Sequence, residues 1–328
     1  MKDGQLRVGL AGAGWVTEHH LDAWRALSDR AAVVAIADPV REAAAARAER
    51  YGIPAVHASV ETMLDANRLD AIDIAAPREF HAPICRLAAS RGLAILCQKP
   101  LAPTLAAAES LVADLRGARL MVHENWRFRP HYRRMREWIR TGRIGEARSV
   151  LVSVLSSGLL PDSTGTRPAL VRQPMLAGLD RMLLMEVLIH PVDTLRFLLG
   201  PLTLDATTMG RTCEAIRGED RAALFLRGVN GAAVSLVGDF MAHGYPPQQM
   251  DRVEILGTRG TILLRDGRLS LVTATGTSES DVDLAADYKA SFRGAITHFV
   301  DRLADGQPFE TSPDDNLETL RIVEAAYG

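Results

Sequence analysis

The sequence predicts an α/β fold in two parts. The first is an N-terminal doubly wound parallel sheet. The second is a C-terminal α+β domain built on a large, mostly antiparallel, open-faced sheet. Three observations predict it. Strand-like and helix-like stretches alternate with short links up to about residue 123, the pattern of a parallel sheet with right-handed crossovers. The alternation opens on Leu6 to Thr17, where an apolar run meets Gly12-Ala13-Gly14 and then a helical period. After residue 143 strand-like runs and hairpin signals dominate. The expected division is 1–123 and 124–328, with the C-terminal helix free to pack back on the first domain.

Leu6 to Ala11 is the first strand, and Trp15 to Leu27 carries apolar residues at helical spacing. Ala32 to Ala37 is the second strand. Pro39 to Tyr51 is an Ala-rich helix stopped by Gly52. Ile53 to Val56 and Ser59 to Ala66 follow as strand and helix, then Asp70 to Ala75 as strand. His81 to Arg91 is a helix ended by Gly92, Leu93 to Cys97 a strand, Pro103 to Arg116 a helix, and Arg119 to His123 a strand. Ala147 to Leu155 begins the second sheet. Ser156 to Leu179 is an irregular, Gly- and Pro-rich loop, of the kind that is more often functional than not. Arg181 to Leu199 reads as helix. Strands follow at Leu202 to Ile216, Ala222 to Arg227, Ala232 to Met241, Val253 to Leu256, Thr261 to Leu264 and Leu269 to Thr273. Asn230-Gly231 and Asp266-Gly267 are the hairpin signals. Residues 288–304 and 314–327 return to helix.

Strand, glycine turn and helix is the context of a dinucleotide-binding loop. The glycines permit a tight turn and keep side chains from between backbone and pyrophosphate, and the helix start offers its N–H groups. The third fingerprint position is Thr17, so strand and helix are expected to pack slightly wider. Asp38 ends the second strand, where a ribose hydroxyl would be bound. It would equally cap the next helix, and the two roles are compatible. No Arg or Lys directly follows it, which favours NAD over NADP. Ligands of such sheets lie past the strand ends, here Gly12 to Gly14 with Trp15 and Val16 behind them, Asp38, Ala76-Pro77, Gln98-Lys99 and His123-Glu124.

The chain has 328 residues, 47% apolar and 24% charged, with a net charge of −2. This balance gives no general pull toward nucleic acid or acidic membrane. Cys85, Cys97 and Cys213 have no paired spacing, which points to a reducing compartment and no metal cluster. No signal peptide and no membrane-spanning run is read, so the cytoplasm is expected.

Three stretches could do chemistry. Lys99 follows a buried strand and would point into the cofactor crevice. Partly desolvated, it could bind a substrate oxygen or help move a proton. From spacing alone it is equally an exposed lysine before a turn. Glu186 and His190 are four apart, with Asp193 three further on. A carboxylate-held imidazole is a good general base, although a satisfied core histidine has the same pattern. Pro191 implies a kink, or a helix restarting at Pro191 with His190 as cap. Arg127 to Arg148 holds eight arginines, read as the solvated face of a helix that buries Tyr132, Met135, Trp138 and Ile139.

Several of these motifs together resemble the glucose–fructose oxidoreductase/inositol dehydrogenase/MocA family over nearly the whole chain. They are Val8 to Trp15, Asp38, Pro77 with His81, Gln98-Lys99-Pro100 where the family has Glu-Lys-Pro, Arg127-Phe128-Arg129-Pro130, Ile139 to Gly145, and Glu186 to His190 where the family has Asp-x-Gly-x-His. The resemblance implies a nicotinamide cofactor and hydride transfer at a hydroxyl-bearing carbon of a sugar or cyclic polyol. Lys99 would hold the oxygen and His190 take the proton, with Glu186 beside it. His81 and Gln98 would join the cofactor site. Gln98 removes a charge beside Lys99, while Glu186 and Leu188 should reshape the substrate pocket. Gln98-Lys99-Pro100 with His123 to Arg127 resembles the D-apiose dehydrogenase subgroup, which oxidises a branched pentose to a lactone. Arg172-Gln173-Pro174 and Asp314 to Leu317 share that likeness. Substrate contacts are then expected from Asn125, Trp126, Arg127, Arg172, Gln173 and Asp193. The alternatives within the family are an NAD-retaining glycosidase and a non-catalytic, NAD-responsive regulator. The resemblance further implies a homodimer or homotetramer joined through the open sheet face.

Overall fold

A computed structural model describes residues 5–328, so the expectation about the residues ahead of the first strand lies outside the described residues. The described residues form two sheets. By contacts the chain divides into one unit of residues 1–128 with 288–320 and another of 129–287 with 321–328.

The first unit holds β1 (Leu6–Ala11), β2 (Ala31–Ala37), β3 (Ala55–His57), β4 (Ala71–Ile74), β5 (Ala94–Gln98) and β6 (Leu120–His123). Their order is β3-β2-β1-β4-β5-β6, all parallel. The reversal between β1 and β4 opens the crevice in which such sheets bind ligands. The crossovers are α1 (Thr17–Arg25), α2 (Arg41–Tyr51), α3 (Val60–Ala66), α4 (His81–Ser90) and α5 (Leu105–Asp114). Local chemistry sets several of their ends. Ser59 and Thr104 accept from the N–H groups of Thr62 and Ala107, so α3 and α5 start after them. Gly52 closes α2 at a φ of +70°, open to glycine at little cost.

The apolar β-strands bury their side chains on both faces. Ala44 and Ala48 of α2 pack with Leu10 and Ile36. On the other face Val8, Leu96 and Met121 meet Phe292, Ile296 and Phe299 of a long later helix, Leu284–Asp305, most of which belongs to this unit. The chain after that helix returns to the sheet edge. Val122 N–H donates to the Thr311 carbonyl at 2.9 Å, and the Thr311 hydroxyl donates to the Val122 carbonyl at 2.6 Å.

The second unit opens with α6 (Pro130–Arg140) and β7 (Ala147–Leu155), followed by α7 (Pro168–Arg172) and α8 (Ile189–Leu199). Then come β8 (Leu202–Gly210), β9 (Arg221–Gly228), β10 (Ala233–Asp239), β11 (Met250–Gly257), β12 (Gly260–Arg265), β13 (Arg268–Thr273) and β14 (Gly276–Asp281). The helix at 284–305 is α9, and α10 is Pro313–Tyr327. The sheet order is β14-β13-β12-β11-β7-β10-β9-β8, antiparallel except for β10 beside β7. Residues alternate: Val150, Val152 and Val154 are buried, whereas Leu151 is exposed and Ser149 and Ser153 are half-buried. The open face carries Leu151 and Phe225 in register with Ser235 between them, 47% and 50% exposed. Both hairpin signals hold, with Asp266 and Gly267 at φ of +50° and +76° between β12 and β13.

Three expectations are corrected. The strand after Leu202 ends at Gly210 rather than Ile216, because the Asp220 carboxylate takes the Thr212 and Cys213 N–H groups that a ladder would use. A polar edge strand, β14, pairs with β13 although its Gly-Thr-Ser-Glu-Ser-Asp run carries no apolar alternation. The first helix starts at Thr17, two residues later than Trp15. The arginine-rich stretch is largely used inside the unit. Arg129 pairs with the buried Asp251 at 2.5 Å, Arg136 donates to the Leu198 carbonyl, and Arg133 lies over the Phe197 ring. Tyr132, Met135 and Trp138 are buried as expected, and Ile139 is half-buried.

Candidate active site

β1 ends at Ala11 and the chain turns at Gly12, whose φ is +104°. A Cβ there would stand 2.7 Å from the Ala75 carbonyl oxygen. The neighbouring strand end, not a ligand, demands glycine at this position. Gly14 differs: no heavy atom comes within 4 Å of where its Cβ would be. That space is open at the turn into α1, and a diphosphate seated against bare main chain would fit it. Thr17 is buried and its hydroxyl donates to the Gly12 carbonyl at 3.3 Å, which ties turn to helix. Asp38 is held by main chain on both oxygens: Oδ2 accepts from Ala13 N–H at 2.7 Å and Oδ1 from Val40 N–H at 2.8 Å. Each oxygen has a second lone pair for a hydroxyl donor. The loop and the acidic strand end therefore fit a dinucleotide, with Ala13, Gly14, Trp15, Val16 and Asp38 as the residues that would hold it.

The ends of β4 and β5 are stitched together by His81. Its Nδ1 lies 2.8 Å from the Pro100 carbonyl oxygen and its Nε2 2.9 Å from that of Ala76. The imidazole is buried, so the Ala76-Pro77 loop and the Lys99-Pro100 turn are held by one rigid ring. Lys99 is half-buried between the buried Gln98 and Pro100. Gln98 reaches backward, into the unit, toward His20 and His123.

Asn125, Trp126 and Arg127 are all buried in this unit. Asn125 donates to the Ser291 hydroxyl at 2.7 Å. Arg127 Nη2 donates to Asp315 at 2.7 Å and Nη1 to the Glu310 carbonyl at 3.3 Å. The structure thus gives Arg127 an internal ion pair, which joins the 123–128 segment to the start of α10.

In the second unit the expected 181–199 helix is two pieces. Leu183–Leu188 is a π-helical turn, and α8 begins at Ile189. Pro191 falls in the first turn of α8, where a missing N–H leaves no ladder bond broken. The helix therefore restarts at Ile189, and His190 lies inside its first turn instead of capping it. From Met182 to Leu195 every residue is buried except Glu186 and His190, which are half-buried. The two polar side chains at the turn are the ones not given to the core. Asp193 is buried, its Oδ1 4.0 Å from Arg196. Arg172 and Gln173 are half-buried at the end of α7. Leu188 is buried against the sheet: a Cβ on Gly238 of β10 would stand 2.7 Å from its Cδ2. The bulk expected to reshape a pocket is accommodated by a glycine in the strand beneath.

Glu219 anchors the π-helical turn. Its carboxylate accepts from the N–H groups of Leu184 at 2.8 Å and Met182 at 3.3 Å, and from the Tyr327 hydroxyl at 2.7 Å. Burial, with that carboxylate second, pushes the Tyr327 phenol far above its ordinary range, so it remains a donor. Tyr327→Phe should destabilise the protein by about 1 kcal/mol through this lost bond. A lower thermal midpoint accompanied by reduced turnover is expected, and an unchanged midpoint would contradict the anchoring role.

His20, Asp73, Glu219 and Tyr327 carry no motif that pattern reading could find, whereas His123 reads as a strand-end residue. An acid within the otherwise apolar β4 was the one available sign, at Asp73. Among the described residues no group of His, Cys, Asp and Glu could hold a metal ion, and the three cysteines are buried and free. Likewise no described helix is long and apolar enough to cross a membrane.

Two family models match. Residues 6–126 match the oxidoreductase family, NAD-binding Rossmann fold, and residues 132–263 match the GFO/IDH/MocA C-terminal domain. The chain is 34% identical to a D-apiose dehydrogenase of Paraburkholderia graminis, covering 98% of this chain and 87% of that protein. It is 30% identical to the D-apiose dehydrogenase of Rhizobium rhizogenes, over 98% and 94%. Among solved structures, an oxidoreductase from Agrobacterium radiobacter in complex with NAD+, L-tartaric acid and magnesium superposes with a TM-score of 0.91 at 28% identity, over 98% and 95% of the two chains.

Proposed function

Because the chain belongs to the GFO/IDH/MocA family of NAD-binding oxidoreductases, we propose that it oxidises a sugar hydroxyl, with D-apiose as the substrate and its lactone as the product. The observation that carries the substrate is the 34% identity to a D-apiose dehydrogenase across 98% of the chain. Function is apportioned as in the family, with residues 1–123 for the dinucleotide and 124–328 for substrate and assembly.

When bound, the nicotinamide supplies the hydride acceptor. The chain's own residues handle the oxygen and the proton. Lys99 donates to the hydroxyl oxygen of the reacting carbon and stabilises the charge that gathers there. His190, neutral, accepts the hydroxyl proton, and Glu186 orients it. The C–H pair leaves as hydride, the O–H electrons close the carbonyl, and the proton stays on the imidazole. Half-burial suits both residues, since partial desolvation strengthens their hydrogen bonds while substrate can still reach them. Arg172, Gln173 and Asp193 are the proposed sugar contacts in the second unit, and Asn125 and Trp126 those in the first. The protein works in the cytoplasm as a homodimer or homotetramer through the open sheet face, where Leu151 and Phe225 lie exposed.

The test is an aldose and polyol panel with NAD and NADP in parallel, followed by NADH absorbance. D-apiose with NAD should give the fastest turnover. Turnover on a cyclic polyol alone would overturn the substrate, and aglycone release without net NADH would favour a glycosidase. NAD binding with no turnover on any member would favour a regulator. The Asp38 carboxylate should repel a 2′-phosphate, so NAD is the expected partner. Asp38→Ala should weaken NAD binding roughly 10- to 100-fold, the equivalent of one charged hydrogen bond, read by calorimetric titration.

A further inference from the structure

Behind Lys99 lies a chain of polar side chains that no part of the reaction described above uses. His20, Asp73 and His123 have no exposed surface, and Gln98 is 8% exposed. Asp73 Oδ2 is 2.8 Å from His20 Nδ1 and accepts from the Trp24 indole N–H at 2.7 Å. His20 Nε2 is 2.8 Å from Gln98 Nε2, and His123 Nδ1 is 3.2 Å from the same nitrogen. Gln98 Oε1 accepts the Lys99 N–H at 3.1 Å. The two imidazoles lie face to face at a tilt, 4.3 Å between centroids.

The Lys99 N–H decides the arrangement. It can only donate, so the oxygen of the Gln98 amide must face it, and the amide nitrogen then faces both histidines. That nitrogen has two hydrogens and gives one to each ring. His20 must accept through Nε2, which puts its proton on Nδ1, toward the Asp73 carboxylate. His123 must accept through Nδ1, which puts its proton on Nε2. Every polar atom of Gln98 is committed, and each histidine is confined to one uncharged tautomer.

We propose that Gln98 is a positioning residue that fixes the main chain of Lys99, and that the His20 and His123 tautomers select an amide rather than a carboxylate at this position. The proposal rests on the role given to Lys99 above. A glutamate, the residue the family motif carries, cannot donate. Placed here it would face two nitrogen lone pairs unless His123 moved its proton to Nδ1 and His20, whose Nδ1 proton faces Asp73, took up a second one. The groups bearing on those rings are Asp73 from β4, Cys97 and Lys99 on either side of Gln98, Glu124 beside His123, and His19 of α1 with Lys289 of α9 near it. Cys97 is buried and its thiol is pushed up by that burial, so it adds no charge. The Phe292 ring closes the remaining side, 5.4 Å from His20 and 5.2 Å from His123.

The test is Gln98→Glu against wild type, read as kcat/KM from about pH 6 to about pH 9, which brackets the ordinary histidine value. At the acid end His20 of the variant can carry one extra proton while His123 donates from Nδ1, and the introduced carboxylate is satisfied. As pH rises His20 releases it, the carboxylate meets the His20 lone pair, and Lys99 loosens. Relative to wild type the variant should therefore lose activity by about tenfold per pH unit beyond that release. A profile parallel to wild type would overturn the proposal. A second measurement needs no turnover: 15N chemical shifts of the wild-type imidazoles. They should report His20 as the Nδ1–H tautomer and His123 as the Nε2–H tautomer, both uncharged at neutral pH. A charged or exchanged ring overturns the assignment even if Gln98→Glu does not fold. If no sugar is turned over, the reading of Lys99 fails while the shifts still decide the arrangement of Gln98.

Discussion

Lys99→Ala and His190→Ala should each reduce kcat/KM for the sugar by roughly two to four orders of magnitude, the range typical of a lost acid–base group. The two losses should differ in kind. Lys99 stands at the end of β5 beside a buried turn, whereas His190 lies outside residues 6–126, which match the NAD-binding model. His190→Ala is therefore expected to leave NAD affinity nearly unchanged, with the loss in kcat. Added imidazole should restore part of the activity of that variant, because the deleted group acts as a diffusible base could. It should not rescue Lys99→Ala. The double variant should be little worse than the poorer single one if, as proposed, the two residues act on one proton and one oxygen of the same step. Steady-state kinetics and calorimetric NAD titration on the three proteins check this. Turnover surviving in both single variants would remove the assigned roles.

Legibility from sequence tracked how local the cause was. The parallel sheet was readable because each of its strands is a short apolar run beside a helix with its own stop signal, such as Gly52 or Gly92. The hairpins were readable because Asn230-Gly231 and Asp266-Gly267 meet the turn's need for positive φ within two residues. The π-helical turn was not. Leu183 to Leu188 is apolar at helical spacing, and the carboxylate that holds the N–H groups at its start, Glu219, lies more than thirty residues away. The network behind Lys99 was hidden for the same reason. His20 and Asp73 are 53 residues apart and meet where α1 packs on the sheet, and Gln98 and His123 are 25 apart and meet through the parallel register of β5 and β6. Motif residues on strand ends could be named in advance. What each one grips depends on contacts across the fold, as Arg127, held by Asp315, demonstrates.

The two glycines of the N-terminal turn offer the second large effect, because the same substitution should fail in two different ways. At Gly12 an added Cβ meets the carbonyl oxygen and carbon of Ala75 at 2.7 and 2.8 Å, main-chain atoms of a strand end that cannot swing aside. The residue also sits at φ +104°, which costs an L-residue about 1–2 kcal/mol by itself. With about 1–3 kcal/mol for the overpacking, Gly12→Ala should approach the net stability of a typical domain. It should appear as poor expression or a thermal midpoint lower by many degrees, with or without NAD. At Gly14 an added Cβ meets nothing within 4 Å, so Gly14→Ala should fold with an unchanged midpoint. Its methyl group would occupy the space left for the diphosphate, and an overpacking cost of about 1–3 kcal/mol there converts to roughly 5- to 150-fold weaker NAD binding. NAD should accordingly raise the midpoint of wild type more than that of Gly14→Ala. Unaltered NAD affinity in Gly14→Ala would mean that the open space is incidental and that the diphosphate is seated elsewhere.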